Sequence, residues 1–322
     1  MRILVLGAGG TGGYFGGRLA QAGVDVTFLV RPARAAQLDA DGLVIRSPLG
    51  DAQLAVRHLT AEQLPAAAPF DVVLLSCKAY DLESSLDAVA PAMGEHATLL
   101  PILNGLRHYE ALDQRFGAAR VLGGLCFINA TKPASGEVLH LGKPASVTFG
   151  ERSGEPHSER CAAIAAAFAQ AKVEHKHSPT IVQDIWIKYS FLTALAAATC
   201  LMRASVGVVV ATDGGREFMQ RLYGECIAVA AASGSPIPSA AQELAIRHLT
   251  QQGSPVTASM LRDLESGQPI EGEHIVGDML ARARAAGIDA PLLGVAWSHL
   301  QAYTAQRLVW RDAALIDADP GR

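Results

Sequence analysis

Residues 3–17 read ILVLGAGGTGGYFGG, an apolar run that passes straight into a stretch where seven of eleven residues are glycine. A helix-compatible segment, RLAQAG, follows at 18–23. Glycine inside a helix costs about 1 kcal/mol relative to alanine. A chain that places Gly12, Gly13, Gly16 and Gly17 at a helix entrance therefore needs its backbone close to something. Gly7, Gly9 and Gly12 have the spacing G-x-G-x-x-G between a strand and a helix. In that context the first glycine permits a tight turn, the second admits a pyrophosphate, and the third lets helix and strand pack closely. Gly10 and Thr11 lie in the same turn, where free N–H groups and a partial positive charge favour phosphate. An ordinary glycine turn has similar residues; the strand–loop–helix setting is what favours a dinucleotide.

The rest of the first half agrees with that start. Apolar runs at 2–6, 25–30, 71–76, 97–103 and 121–128 alternate with helical patterns at 10–22, 32–40, 80–92 and 106–116. Continuous apolar strands alternating with helices predict an α/β domain with a doubly wound, mainly parallel sheet covered on both faces. The stretch 42–58 predicts a hairpin insertion with its turn at Pro48–Asp51. The stretch 136–150, GEVLHLGKPASVTFG, predicts a second short β pair with Gly and Pro at its turn. A helix at 156–171 and a strand at 172–176 close this half. From Ser178 and Pro179 onward the pattern is helical, so the domains are read as 1–178 and 179–322. A chain of 322 residues, half of them apolar, suits two cores better than one. The tail DADPGR at 317–322 reads as loose.

The formal net charge is −4 with no block of like charge, which points to no nucleic-acid or anionic-membrane partner. Five cysteines, at 77, 126, 161, 200 and 226, form no CxxC pair and fit a reducing cytoplasm. The ten histidines show no metal-ligand spacing. Arg2 followed by ILVLGA is too short an apolar run for a signal peptide. The stretch 189–211 is long enough to span a bilayer, but Arg203 would fall inside it, at about 2.5–3.5 kcal/mol. A buried helix ending near Arg203–Gly207 is expected instead.

Several polar residues fall where the strands should end. Arg31 closes the second strand, where NAD binders usually present a carboxylate. An arginine there suits a 2′-phosphate through charge-assisted hydrogen bonds, and so favours NADPH; a solvated surface arginine is the plain alternative. Lys78 follows DVVLLSC and Asn104 follows TLLPIL. Ligands of open α/β sheets bind outside the carboxyl ends of the strands. Each residue has a plain alternative, a charged loop for Lys78 and an Asn-Gly turn for Asn104, but together they favour a site.

In the second half, Lys188 stands out in DIWIKYSFLTALAAATCL. A lysine on a mostly buried helix is costly unless paired or reaching water. It could serve as a proton donor, or simply pair with Asp184 one turn earlier. Further on, Ser259 falls on a helix, SGQP at 266–269 breaks it, and Glu271 and Glu273 open the next one. Carboxylates are favoured at a helix start, so capping is the plain reading of both. His274 reads as structural or exposed.

With these residues in place, the chain resembles the ketopantoate reductase (2-dehydropantoate 2-reductase) family over nearly its whole length. The likeness rests on the glycine loop, SCKAY at 76–80, LNG at 103–105, WIKY at 186–189, and the run from Ser259 to Pro291. The resemblance implies a Rossmann domain followed by an all-α domain like that of 6-phosphogluconate dehydrogenase. It also implies NADPH and a small-molecule 2-oxo acid substrate reduced to a 2-hydroxy acid, ketopantoate to pantoate in the family's own reaction. By position, Lys188 matches the family's general acid and Glu271 the carboxylate that holds the substrate hydroxyl and meets the cofactor. Ser259 matches a substrate-carboxylate contact, Asn104 an asparagine near nicotinamide and substrate, and Lys78 and Arg31 cofactor contacts. A cytoplasmic enzyme of pantothenate synthesis, as a homodimer, is compatible with the resemblance.

One departure bears on the substrate. The well-studied members carry asparagines four and eight residues after the lysine; here Leu192 and Ala196 stand there. A site lacking such a donor loses discrimination for a hydroxylated substrate. A reductase of a more apolar carbonyl or imine is thus a rival reading. A non-catalytic NADPH sensor is another, and the combination of Lys188 with Glu271 argues against it.

Overall fold

The computed structural model of the chain describes residues 1–317, so the tail from Ala318 on lies outside the described residues. Two compact units emerge, Met1–Ile185 and Trp186–Arg322, with the division inside the helix Ile181–Met202.

The first unit opens with β1 (Arg2–Leu6), α1 (Gly10–Gln21), β2 (Asp25–Leu29) and α2 (Pro32–Asp41). There follow β3 (Leu43–Arg46), β4 (Ala52–Leu54), β5 (Arg57–Leu59), β6 (Val72–Leu75), α3 (Leu82–Val89), β7 (Thr98–Pro101) and α4 (His108–Phe116). It closes with β8 (Gly123–Thr131), β9 (Val138–Gly150), α5 (Glu159–Gln170) and β10 (Glu174–His177). One sheet has the order β5-β2-β1-β6-β7, every pair parallel. Its side chains alternate between two cores. Ile3 and Val5 of β1, with Val72 and Leu74 of β6, enter one apolar cluster; Leu4, Val73 and Leu75 enter the other. Both faces are buried, which is why these strands read as unbroken apolar runs.

A second sheet, of order β10-β9-β3-β4 with β8 on β9, corrects two expectations. The run at 121–128 is not a further parallel strand of the first sheet. It becomes β8, antiparallel to β9, and an isolated bridge between Leu99 and Val121 links its start to β7. The stretch 136–150 does not fold back on itself. It is one strand of 13 residues, and both of its arms pair with β8, Ala145 opposite Ile128 and His140 opposite Ala130. Leu141–Pro144 bulge out between them, closed by His140 Nε2 at 3.0 Å from the Pro144 carbonyl. Gly and Pro mark a bend, and a bulge uses that bend without reversing the chain. The hairpin β3–β4 forms as the sequence predicts, while β5 leaves it to pair with β2.

Helix α1 lies between the two sheets, and its glycines show why. A Cβ on Gly12 would stand 2.5 Å from the Gly7 carbonyl, and one on Gly16 2.7 Å from Phe28 Cε1. These two face the first sheet. A Cβ on Gly13 would stand 2.7 Å from Val138 Cγ2, and one on Gly17 2.6 Å from Ile45 Cδ1, both in the second sheet. The helix gives up propensity so that its backbone can approach both layers at once.

Helix α6 (Ile181–Met202) is apolar and long enough to cross a membrane, yet 67% of its most apolar window is buried inside the protein. It stops at Arg203, which takes a left-handed backbone with φ 51°. The second unit is helical throughout: α7 (Val206–Val210), α8 (Gly215–Ala232), α9 (Ser239–Leu249), α10 (Ser259–Glu265), α11 (Asp278–Ala285) and α12 (Pro291–Asp317). The break after α10 falls on SGQP and is fastened by α12. There the Tyr303 hydroxyl donates to the Gln268 carbonyl at 2.8 Å, and Arg307 Nε to the Gly267 carbonyl at 2.8 Å. The helix after it begins with a wide π turn, Glu273–Gly277, that runs on into α11.

Candidate functional site

In the first unit, the parallel order β2-β1-β6-β7 brings four loop starts to one sheet edge. Adjacent strands are about 4.8 Å apart, so residues that follow them become neighbours. Gly7 follows β1 with φ 84°, a left-handed turn that glycine enters without a Cβ penalty, and its N–H donates to the Leu29 carbonyl at 2.8 Å. Gly9 caps α1, Gly10 opens it and Thr11 sits in its first turn, which carries no acidic side chain. Arg31 follows β2 and starts α2, with Pro32 at the first helical position. Lys78 follows β6 and starts the short turn Ala79–Asp81; Asn104 follows β7; both are half-buried. The structure thus brings together all the first-unit residues that the sequence singles out.

A dinucleotide fits the glycine loop. A Cβ built on Gly7 or on Gly9 meets nothing within 4 Å, so open space lies in front of the exposed end of α1. At Gly12 the same test gives a clash, the signature of packing rather than of a ligand cradle.

Two residues near this edge carry more than the sequence revealed. Arg34 donates from Nε to the Ala8 carbonyl at 3.2 Å, clamping the glycine loop, and from Nη1 to Gln37 at 3.2 Å. Its Nη2 is buried without a hydrogen-bond partner. Burial lowers the pKa of Arg34, and Lys132 is lowered too, by partial burial and then by the Arg34 charge. The only sequence signal was a second arginine three residues after Arg31. The other is Asp81, whose Oδ1 accepts from Arg31 Nη2 at 3.0 Å. Fifty residues separate the two, and no local pattern announces the pair.

In the second unit, Lys188 lies half-buried in the middle of α6. The simple pairing with Asp184 gains no support, because that carboxylate is bonded to Lys176 Nζ at 3.2 Å and to the Ser178 hydroxyl. Leu192, one turn on from Lys188, is half-buried, and Ala196 is completely buried. Ser259 is the first residue of α10 and half-buried. Glu271 is 7% exposed and stands just before the helix that opens with the π turn, so Glu273 alone lies within its first turn. His274 is buried, the structural half of its two readings. Among the described residues no group of three or more His, Cys, Asp or Glu could hold a metal.

The helix that carries Lys188 is fastened to the turn after Glu271 by its neighbour Tyr189. The Tyr189 hydroxyl lies 2.8 Å from Asp278 Oδ2 and 2.9 Å from the Ile275 carbonyl. Arg282 Nε donates to the same Asp278 oxygen at 2.9 Å, and its guanidinium lies 5.8 Å from the Trp186 ring centroid. Burial, and then Asp278, raise the Tyr189 pKa well above the usual phenol range, so the hydroxyl stays a donor.

Comparison with known proteins bears on the fold and the family. Residues 3–154 match the family model described as ketopantoate reductase PanE/ApbA, and residues 180–304 match that described as ketopantoate reductase PanE/ApbA C terminal. The chain is 40% identical over 307 residues to the uncharacterized oxidoreductase YkpB of Bacillus subtilis (strain 168), covering 95% of this chain and 100% of that one. The crystal structure of 2-dehydropantoate 2-reductase from Geobacter metallireducens GS-15 has a TM-score of 0.84 at 29% identity, covering 94% of this chain and 99% of that one. The ternary structure of D-mandelate dehydrogenase with NADH and anilino(oxo)acetate has a TM-score of 0.85 at 18% identity, covering 95% and 99%, which is a likeness of fold. A Rossmann-like parallel sheet followed by an all-helical unit, with residues 3–154 and 180–304 matched by the two family models, leaves one assignment: the chain belongs to the ketopantoate reductase PanE/ApbA family of oxidoreductases.

Proposed function

We propose that the chain reduces a 2-oxo acid to the 2-hydroxy acid with NADPH, and that 2-dehydropantoate is the first substrate to test. The observation that carries this reading is Lys188: an ammonium half-buried in the middle of an apolar helix, beside a tyrosine pinned to the turn that follows a buried Glu271. Burying such a charge is costly, and a proton donor for a reacting carbonyl is a use that warrants the cost.

The residues divide the work by chemistry. Gly9, Gly10, Thr11 and Gly12 offer backbone N–H groups at the start of α1 to the pyrophosphate, and Gly7, whose own N–H is bonded to Leu29, turns the chain so that the cofactor can approach. Arg31 and Lys78 supply positive charge for the phosphates, and Asn104 an amide for the nicotinamide side. When bound, the nicotinamide supplies the hydride. Lys188 donates from Nζ to the substrate carbonyl oxygen, polarising it and then protonating it as it becomes a hydroxyl. Glu271 accepts a hydrogen bond from the substrate hydroxyl, and Ser259 donates to the substrate carboxylate. We place the cofactor domain at residues 1–178 and the substrate domain at 179–322, and the working compartment in the cytoplasm.

Leu192 favours a second reading, a more apolar 2-oxo acid or imine. It stands half-buried where an asparagine would bond a hydroxylated substrate, whereas Ala196 is sealed in the core. One assay separates the readings: loss of nicotinamide absorbance with 2-dehydropantoate and with a panel of 2-oxo acids graded in polarity. Turnover fastest on 2-dehydropantoate supports the first reading. Turnover fastest on an alkyl or aryl 2-oxo acid supports the second. NADPH bound but never oxidised would sink both and leave a sensor.

A further inference from the structure

We propose that Asp81 is a cofactor-selectivity residue that withholds Arg31 from the 2′-phosphate of a nucleotide, so that the chain binds NADPH and NADH with similar affinity. The inference rests on the reading that the glycine loop holds a dinucleotide.

The geometry is simple. Arg31 follows β2 and Asp81 lies on the turn after β6, the two strands that flank β1. Their ion pair, 3.0 Å long, therefore reaches across the end of β1, where the glycine loop begins. Asp81 also occupies the N-cap of α3, a position where an aspartate ordinarily accepts a hydrogen bond from the helix backbone. Its side chain makes no such bond. The carboxylate is turned to Arg31 instead.

Two consequences follow. A phosphate arriving at Arg31 meets a guanidinium already sharing its charge with a carboxylate, and a like charge close by. A cofactor without that phosphate meets a carboxylate among the strand ends, the group that dinucleotide-binding folds use to accept hydrogen bonds from the ribose hydroxyls. Both side chains are within a ligand's reach, at 76% exposure for Arg31 and 36% for Asp81. The pair is a surface ion pair, individually weak and readily exchanged. The arginine and the carboxylate thus pull cofactor choice in opposite directions.

The test uses the full-length protein and binding alone. NADPH and NADH are titrated against wild type, Asp81→Asn, Arg31→Ala and the double variant, following nicotinamide fluorescence. Wild type is expected to bind the two within about fivefold of each other, and D81N to raise the preference for NADPH about tenfold by tightening NADPH. In the R31A background the D81N change should have a smaller effect, because the partner it releases is gone and only the carboxylate's own action on the cofactor is lost. A D81N protein that binds both cofactors with the wild-type ratio overturns the proposal, as does a wild type preferring NADPH by about a hundredfold. Binding of neither cofactor by wild type overturns the dinucleotide reading itself, and is recognised by the absence of any fluorescence change. Since both side chains are exposed, a melting curve matched to wild type verifies folding.

Discussion

The Tyr189 hydroxyl lies 2.8 Å from Asp278 Oδ2, joining residues 89 positions apart inside the second unit. Tyr189 is 1% exposed and Asp278 9%, so the contact is shielded from water. It couples the helix that carries Lys188 to the turn after Glu271. Hydrogen bonds to charged groups contribute about 1.5–3 kcal/mol. Tyr189→Phe should lose stability in that range by urea denaturation. It should also lower kcat more than it raises KM, as Lys188 drifts from its position. A loss under about 0.5 kcal/mol, which is the usual effect of a surface substitution, would remove the fastening role.

Lys188→Ala tests the proton donor. General acid catalysis contributes about a hundredfold to ten-thousandfold. Turnover should fall by that much in steady-state assays, while NADPH affinity by fluorescence titration stays within about twofold of wild type, because the glycine loop proposed to hold the pyrophosphate lies in the other unit. Normal turnover in K188A would end the assignment.

The glycines separate packing from ligand binding. Gly16→Ala puts a methyl 2.7 Å from Phe28 Cε1, and such overpacking costs about 1–3 kcal/mol. Gly9→Ala meets nothing within 4 Å, and its backbone, φ −86° and ψ −162°, suits alanine. G9A should therefore melt like wild type yet bind NADPH at least about tenfold more weakly, since its methyl would stand against the phosphates. Equal NADPH affinity in G9A and wild type would count against the loop as a pyrophosphate site.

Glu151 links stability to pH. Arg160 donates to both its carboxylate oxygens, at 2.7 and 2.6 Å, and the Ser158 hydroxyl adds a third bond. The Arg160 bonds, foremost, hold the Glu151 pKa below its ordinary value of 4.5. A folded-state pKa below the unfolded one gives stability that is fully present above the unfolded value and is lost as pH falls through the folded value. Melting temperature should decline below about pH 4.5. Glu151→Gln should be less stable at neutral pH and should show a shallower decline on acidification. Parallel melting-temperature profiles for the two proteins would contradict the linkage.

Much of the cofactor half was legible because its signals are local. A strand buried on both faces must be apolar throughout, so β1, β6 and β7 could be read from short windows. A loop that admits phosphate must lack side chains, so Gly7 and Gly9 could be read as well. Arg31, Lys78 and Asn104 could be placed at one edge because parallel topology puts whatever follows each strand there. Where the reading failed, the missing information was the identity of a distant partner. The segment LGKP at 141–144 was compatible with a hairpin, and became a bulge because both arms of β9 pair with β8.

The sequence by itself determined the alternation of strand and helix, the glycine loop, and the presence of a lysine on an apolar helix, since each follows from the chemistry of neighbouring residues. Tertiary structure alone decided which partners those residues meet. Arg31 is paired with Asp81, Tyr189 with Asp278, and α1 lies between two sheets that its glycines allow it to touch. Such contacts depend on register and packing between segments tens of residues apart, and no short stretch of chain encodes them.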